Sequence, residues 1–155
     1  MNVEQLIAMA RAQGRTALDE LAGKQLLAHF GVSVPASVAV MDARAAAAAV
    51  AKLDPPFVVK VMSPDLLHKS DAGGVKVNLK NAAEVEHAIA TMALSPLINA
   101  ARVEGYLIEE MAPAGQEVVV GAVRDPDFGP LVMVGLGGVF VEVLADVAFR
   151  ICPIT

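Results

Sequence analysis

The segment FVVKVMSPDLLHKSDAGGVKV, at residues 57–77, concentrates side chains that could handle phosphate. Its Lys60 lies within or at the end of an apolar run, where a charged amine is costly to bury unless an anion pairs with it. A phosphate group is one such anion, and a carboxylate is another. A lysine whose stem lies on the apolar surface while its amine reaches water is a third interpretation, and spacing alone leaves all three open.

The glycine pair Gly73-Gly74 follows in the same segment. Glycine tolerates a positive φ and lets a ligand approach the backbone, so consecutive N–H groups here could form an anion-binding nest. Two glycines alone are more typical of an ordinary hairpin turn. The chain has no phosphate-loop pattern GxxxxGK followed by Ser or Thr, and Gly135-x-Gly137-Gly138 lacks the later glycine of a dinucleotide fingerprint.

His68 lies between the lysine and the glycine pair, in the polar run HKSD. A histidine can act as a base, accept a phosphoryl group or bind a metal. A lone histidine is more often part of a hydrogen-bonded structure. His29 and His87 are predicted to lie on helices without a partner at ligand spacing, so the sequence predicts no histidine-based metal site.

Acidic residues accompany the strands of the second half. Glu109 and Glu110 end the run YLIEEM, and Glu117 begins EVVVGAV. A strand end that faces a cleft can offer backbone groups to a nucleobase edge and a carboxylate to ribose hydroxyls, although solvated acids are the default. Glu142 and Asp146 would share one face if their stretch is helical and could then hold Mg²⁺, with a plain helix surface as an equal alternative.

The elements that would position these residues alternate between helix and strand. Thr16 and Asp19 have the spacing of a capping box, with Thr16 as the N-cap, and Gly31 is well placed to end the helix that follows. Further helices are predicted over 43–53 and 81–92. Strands are predicted over 37–41, 57–61, 74–79, 106–111, 117–123 and 131–135.

The pattern indicates an α+β fold in two lobes. Short connections between the later strands, including a turn at 124–129, predict antiparallel pairing. The alternation in strand 74–79 predicts that Val75, Val77 and Leu79 face inward. The chain is divided into an N-terminal helix or extension at 1–15, a first lobe at 16–104 and the start of a second lobe at 105–155.

Composition excludes several classes of protein. The 155 residues carry 12 basic and 17 acidic side chains, a formal net charge of −5, which argues against a nucleic-acid partner. A hydrophobic content of 55% is enough for a core. The single cysteine, Cys152, excludes a disulfide within the chain. The longest uncharged apolar stretch, 130–141, is too short to span a membrane, so we expect a soluble cytoplasmic protein.

Four segments in this order resemble the ATP-grasp domain of the NDP-forming acyl-CoA synthetases. They are ALDELAGKQLLAHFGVSVP, FVVKVMSPDLLHKSDAGGVKV, YLIEEMAPAGQEVVVGAVRDPDFGP and LVMVGLGGVFVEVLADVAFRICP. The resemblance extends from about Leu18 to the last residue and includes the beta subunits of ADP-forming acetyl-CoA synthetases. It implies an ATP-grasp fold, in which two α+β lobes hold the nucleotide between them.

The resemblance also implies how the phosphates would be bound. Lys60 matches the lysine that holds the nucleotide phosphates, and Gly73 and Gly74 lie in the loop that covers them. Catalysis would then depend on positioning and on charge neutralisation by Lys60 and Mg²⁺. The implied cofactors are ATP or ADP and Mg²⁺, with the magnesium ligands in the part of the family domain that would follow Thr155.

Other roles follow from the same resemblance. Glu109 and Glu110 lie where the hinge contacts adenine and ribose, and Glu117 matches an acidic nucleotide contact. His68 occupies the position of the histidine implicated in relaying phosphate toward the nucleotide, which makes it the catalytic candidate.

The implied reaction converts acyl-CoA, ADP and phosphate into acid, CoA and ATP, in either direction, through an acyl phosphate and a phosphohistidine. The expected partner is a CoA-binding domain or subunit that carries the phosphohistidine. The second lobe is expected to be truncated, so the chain would not turn over alone, and an unpaired sheet edge would invite a homo-oligomer. The alternatives are a regulatory ATP-grasp module of a protein acetyltransferase and a non-catalytic association domain.

Overall fold

The structure is a computed structural model that describes residues 2–66, 69–138 and 147–154. Contacts divide the chain into two compact units, Met1–Ala112 and Pro113–Thr155, and each unit is described by itself. The helices of the first unit are α1 (Val3–Ala12), α2 (Glu20–His29), α3 (Ala46–Val50), α4 (Ala82–Ala93) and α5 (Pro96–Asn99), with a 3₁₀ turn at Ala43–Ala45. Its strands are β1 (Ser37–Val40), β2 (Phe57–Met62), β3 (Val75–Leu79) and β4 (Gly105–Glu110).

The four strands of the first unit form one antiparallel sheet in the order β1-β4-β2-β3. The two central strands, β2 and β4, are the most buried, as expected for runs rich in β-branched and aromatic residues. In their register Val58 lies opposite Glu109, and Lys60 lies opposite Leu107. Each of these pairs therefore shares one face of the sheet.

One face of this sheet carries the hydrophobic core. Val59 and Ile108 point into it and pack with residues of the helices α3, α4 and α5, among them Ile89 and Ile98. Because side chains alternate along a strand, the neighbouring residues of β2 and β4 point to the opposite face. That alternation places Lys60 on the face away from the core.

Helix α2 begins later than the sequence pattern predicted. Asp19 is its N-cap, in an extended backbone conformation, and its side chain accepts the backbone N–H of Ala22 at 2.8 Å. The prediction of Thr16 as the N-cap is therefore wrong, because the carboxylate of Asp19 satisfies the free N–H group at the start of the helix instead. The end of the helix is as predicted: Gly31 adopts φ +79°, and the N–H of Val32 donates to the carbonyl oxygen of Leu27 at 3.1 Å.

Strand β3 departs from simple alternation. Val77, predicted to face inward, is 56% exposed. Asn78 adopts φ +64°, and the pairing between β2 and β3 shifts register between Phe57 and Val59. This bulge rotates the side chains of β3 out of the alternation, which is why the period-2 prediction failed here.

The boundary between the units also differs from the sequence-based division at 104/105. Strand β4 pairs with both β1 and β2, so Gly105–Glu110 forms the centre of the first sheet rather than the start of a second lobe. The first unit therefore extends to Ala112.

The second unit is an antiparallel meander of three strands, β5 (Val118–Asp125), β6 (Gly129–Leu136) and β7 (Val147–Ile151). The predicted turn between β5 and β6 is confirmed: the Asp125 carboxylate accepts the N–H groups of Asp127 and Phe128, both at 2.9 Å. Gly129 follows with φ +73°. The acidic pair predicted at positions 142 and 146 lies outside the described residues.

In the part of the chain that the structure describes, no helix is long and apolar enough to cross a membrane.

Candidate functional site

Lys60 and Glu109 form an ion pair on the face of the sheet away from the core. The Lys60 Nζ atom lies 2.6 Å from Glu109 Oε2. Glu109 is only 2% exposed, whereas the side chain of Lys60 retains 26% of its exposure. The neighbouring strands β2 and β4 fix both backbones, so the sheet itself determines that this amine and this carboxylate meet.

Helix α2 supplies a second carboxylate and a second amine to the same place. Glu20, its first residue, forms an ion pair with Lys60. Lys24, one turn further along the helix, forms an ion pair with Glu109 and lies 3.3 Å from Glu20 Oε1. Lys69, from the loop after β2, lies 3.3 Å from Glu20 Oε2. We call these five residues (Glu20, Lys24, Lys60, Lys69 and Glu109) the lysine–glutamate cluster.

The cluster has one more positive than negative charge, since three lysines face two glutamates. Burial by itself would raise the pKa of Glu20, but the hydrogen bond and charge of Lys60, with the charges of Lys24 and Lys69, lower it to about 2. Burial and the neighbouring charge of Lys60 lower the pKa of Lys24. Both shifts show that the charges lie close together in a partly dehydrated place, where an added anion would be attracted.

Of the three interpretations offered for Lys60, the structure shows the carboxylate partner. Its amine pairs with Glu20 and Glu109 rather than pointing into water on the far side of the sheet. Across the ladder Lys60 lies opposite Val75, the residue directly after the glycine pair. Lys60 therefore lies near the glycine loop along the pairing of β2 with β3.

The glycine pair closes a tight loop after Lys69. The N–H of Gly73 donates to the carbonyl oxygen of Ser70 at 3.0 Å, and the N–H of Gly74 donates to that of Lys69 at 2.7 Å. Both amides are therefore bonded within the loop and do not form an anion-binding nest in this conformation. A Cβ atom at Gly74 would lie 2.5 Å from Val61 Cγ1, so the loop approaches β2 too closely for a side chain at that position.

The remaining predicted site residues lie elsewhere. Glu110 follows Glu109 on β4 and points to the other side, where its Oε1 atom accepts the N–H of Asp54 at 3.0 Å. Glu117 belongs to the second unit, where it is exposed and its carbonyl oxygen accepts the N–H of Gly137 at 2.8 Å. His68 lies outside the described residues.

A cleft of about 420 Å³ opens beside the cluster within the first unit. Its lining includes Glu20 and Lys69, together with the segment that joins α1 to α2. In that segment Arg15 forms an ion pair with Glu104 at 2.6 Å, and both residues line the cleft. The cleft therefore reaches the cluster at Glu20 and Lys69, whereas the other three residues of the cluster are not part of its lining.

The cluster suits the phosphates of a nucleotide, because lysine amines are strong donors to phosphate oxygens. It does not offer a site for a bare metal ion. Among residues 2–66, 69–138 and 147–154, no group of three or more His, Cys, Asp or Glu side chains could hold one.

No role for Glu20, Lys24 or Lys69 was predicted from the sequence. The signal for the first two was their spacing of four residues on helix α2, which places both on one face. Lys69 was visible only as one of four polar residues in the run HKSD.

Comparison with known proteins shows the family to which the chain belongs. A family model described as an ATP-grasp domain matches residues 9–155. The chain is 43% identical, over 97% of its length, to acetate–CoA ligase (ADP-forming) I subunit beta of Pyrococcus furiosus. The chain therefore belongs to the ATP-grasp family, and its sequence matches that domain in the beta subunits of ADP-forming acetyl-CoA synthetases.

Solved structures show the same fold. Dinucleotide-forming acetyl-coenzyme A synthetase 1 of Ca. Korarchaeum cryptofilum, in complex with coenzyme A, Ca-AMPCP and HgCl+, matches 99% of this chain with a TM-score of 0.92 and 39% identity. A second structure of that protein, in complex with coenzyme A and Mg-AMPPCP, matches 99% of this chain with a TM-score of 0.82 and 38% identity. The chain spans 66% of the Pyrococcus subunit, and 68% and 66% of the two structures, respectively.

Proposed function

We propose that this chain is the nucleotide-binding portion of an ADP-forming acyl-CoA synthetase, and that Lys60 binds the phosphates of ADP or ATP. The observation that carries the proposal is the surplus positive charge of the lysine–glutamate cluster, beside a cleft, on the central strands of an ATP-grasp domain. The relatives support it, because one is named as an ADP-forming ligase subunit and a solved neighbour contains Mg-AMPPCP.

The proposal also includes the other nucleotide contacts that the sequence predicted. Gly73 and Gly74 lie in a loop that would cover the phosphates once its internal hydrogen bonds open. Glu109 and Glu110 end the last strand of the first unit and would contact adenine and ribose there. Because their side chains point to opposite faces of the sheet, the contact would use backbone groups of this strand end. Glu117, at the start of the second unit, would be an acidic nucleotide contact.

The chemistry proposed for the site is phosphoryl transfer between a phosphohistidine and ADP. The N–P bond of the phosphohistidine breaks, and a terminal β-phosphate oxygen of ADP forms the new P–O bond. Lys60 would neutralise charge on the phosphates. His68 would relay the phosphoryl group in two transfers: a ring nitrogen of His68 would take it as the N–P bond of the partner's phosphohistidine breaks, and the N–P bond at His68 would break in turn as the ADP oxygen forms its P–O bond. Mg²⁺ would supply further neutralisation.

The complete enzyme would couple this step to the interconversion of an acyl-CoA and its carboxylic acid, in the cytoplasm. The phosphohistidine would reside on a CoA-binding domain or subunit, which is the expected partner. The name of the Pyrococcus relative, a beta subunit, is consistent with a partner of that kind. Among the described residues β5 and β7 are the outer strands of the second sheet, and pairing through one of them would permit a homo-oligomer.

Isothermal titration of the complete protein with Mg·ADP and Mg·ATP tests the proposal. Lys60→Met should weaken both affinities by at least about tenfold, since a charge-assisted hydrogen bond to phosphate is lost. Lys52→Met, which removes an exposed lysine, is the matched control and should leave them unchanged. The proposal is wrong if the wild-type protein binds neither nucleotide, or if the two variants bind equally well.

A further inference from the structure

We propose that Glu20 occupies the place of the nucleotide phosphate when no nucleotide is bound, and that Lys24 and Lys69 are phosphate-binding side chains together with Lys60. The arriving polyphosphate would displace the Glu20 carboxylate from the three amines. This inference rests on the proposed function, because it concerns the same site.

The first support is the set of contacts that Glu20 makes. Its Oε1 atom pairs with Lys60 and lies 3.3 Å from Lys24, and its Oε2 atom lies 3.3 Å from Lys69. One carboxylate thus forms ion pairs with three lysines, which come from α2, from β2 and from the loop after β2. A phosphate group offers the same kind of acceptor oxygens, so the donors that hold Glu20 would hold a phosphate equally well.

The second support is the contrast between the two glutamates of the cluster. Glu109 lies on a central strand and is 2% exposed, so its carboxylate is enclosed and has almost no access to water. Glu20 lies at the start of a helix, its side chain is 24% exposed, and it lines the cleft together with Lys69. Rotation of the Glu20 side chain toward the cleft would free the amines without any change in the backbone.

The third support is the charge balance. With Glu20 in place the cluster has a net charge of +1, from three lysines and two glutamates. Once Glu20 turns away, three lysines face only Glu109, and the remaining +2 attracts a polyphosphate. Exchange of one anion for another means that the amines are never buried without a partner, a state that would be costly. It also means that Glu20 competes with the nucleotide and lowers its affinity.

Glu20→Gln tests this competition in the complete protein. Its affinities for ADP, for inorganic tripolyphosphate and for adenosine are measured by isothermal titration without Mg²⁺. We expect about three- to tenfold tighter binding of ADP and tripolyphosphate, since a competing charge is removed, and no change for adenosine. Glu86→Gln, an exposed carboxylate on α4, makes the same change in net charge away from the cluster and should change none of the three.

Lys24→Met and Lys69→Met provide the second test. Each should weaken the binding of ADP and tripolyphosphate by about threefold or more, with Lys52→Met as the control. The inference is overturned if Glu20→Gln leaves the phosphate affinities unchanged or weaker, or if it tightens adenosine as well. If Glu20→Gln does not fold, an unchanged ADP affinity in Lys69→Met overturns it.

The two proposals fail in different ways. If the wild-type protein binds neither ADP nor tripolyphosphate, the proposed function itself is wrong. If the wild-type protein binds ADP and Lys60→Met does not, while Glu20→Gln behaves like wild type, only the role given to Glu20 is wrong.

Discussion

Substitution of Glu109 by Gln should destabilise the first unit, because it removes a buried charge and keeps the shape of the side chain. Glu109 is 2% exposed and pairs with both Lys24 and Lys60. In the variant, three lysines share the single carboxylate of Glu20. Removal of one partner from a buried ion pair costs about 3–5 kcal/mol. Since the lysines here retain some access to water, we expect about 2–3 kcal/mol.

Glu110→Gln is the matched control on the neighbouring position. Glu110 is partly buried and accepts one hydrogen bond, from the N–H of Asp54 at 3.0 Å. The amide oxygen of Gln can accept the same bond, so we expect a change below about 0.5 kcal/mol. The two variants make the same chemical change one residue apart, on opposite faces of the sheet.

Hydrogen–deuterium exchange of the β2 and β4 amides in the complete protein reports the free energy of opening for this sheet. A loss of about 2–3 kcal/mol corresponds to roughly 30- to 150-fold faster exchange in Glu109→Gln, since about 1.4 kcal/mol is a factor of ten. Equal protection in the two glutamate variants would refute the reasoning. The double variant Glu109→Gln/Lys60→Met gives a second check. Its loss in free energy of unfolding should be smaller than the sum of the losses in the two single variants, by about 1 kcal/mol or more.

Two further predictions concern stability. Gly105→Ala should lower the thermal midpoint, at a cost of more than about 2 kcal/mol, because Gly105 has φ +134° and a Cβ atom there would lie 2.6 Å from the Val40 carbonyl oxygen. Gly23→Ala, in helix α2 with open space around the new methyl group, should instead raise the midpoint, through a gain of about 0.5–1 kcal/mol in the free energy of unfolding. A midpoint shift of the same sign in both variants would contradict the assignment. The pKa of Glu20 is lowered from its ordinary value of 4.5 to about 2, so the stability it contributes is complete above pH 4.5 and is lost as the pH falls through about 2. The difference in free energy of unfolding between wild type and Glu20→Gln should therefore shrink by about 1–2 kcal/mol between neutral pH and about pH 2. A difference that stays constant with pH would show that Glu20 has no lowered pKa.

Local chemistry explains which parts of the fold were predictable from the sequence. The strand at residues 57–61 follows from its β-branched residues, and the helix after Asn81 follows from its cap, whose side chain accepts the N–H of Glu84 at 3.0 Å. Lys60 stood out because a charge in an apolar strand needs an explanation. Each of these inferences depends on residues that are close in sequence.

The features that the sequence did not predict depend on contacts between residues far apart in the sequence, or on a choice between two residues close together in it. Thr16 and Asp19 are both acceptable N-caps, and only the path of the chain selects the second. Glu20 meets Lys60 across 40 positions of sequence and Lys69 across 49, so the meeting requires knowledge of how helix α2 lies on the sheet. The bulge that exposes Val77 is likewise a property of the pairing between β2 and β3.

The two glutamates of the cluster have two different roles. A lysine on a central strand needs an anion at all times, and Glu109 provides one that is enclosed, so the sheet is stable without a ligand. A phosphate-binding site also needs donors that can be released, and Glu20, which lines the cleft, occupies those donors only until a stronger anion arrives. The two substitutions should therefore separate: Glu109→Gln should act mainly on amide exchange, and Glu20→Gln mainly on the affinity for polyphosphate. If both variants changed the same quantity by the same amount, the division of roles between the fixed and the exchangeable carboxylate would be wrong.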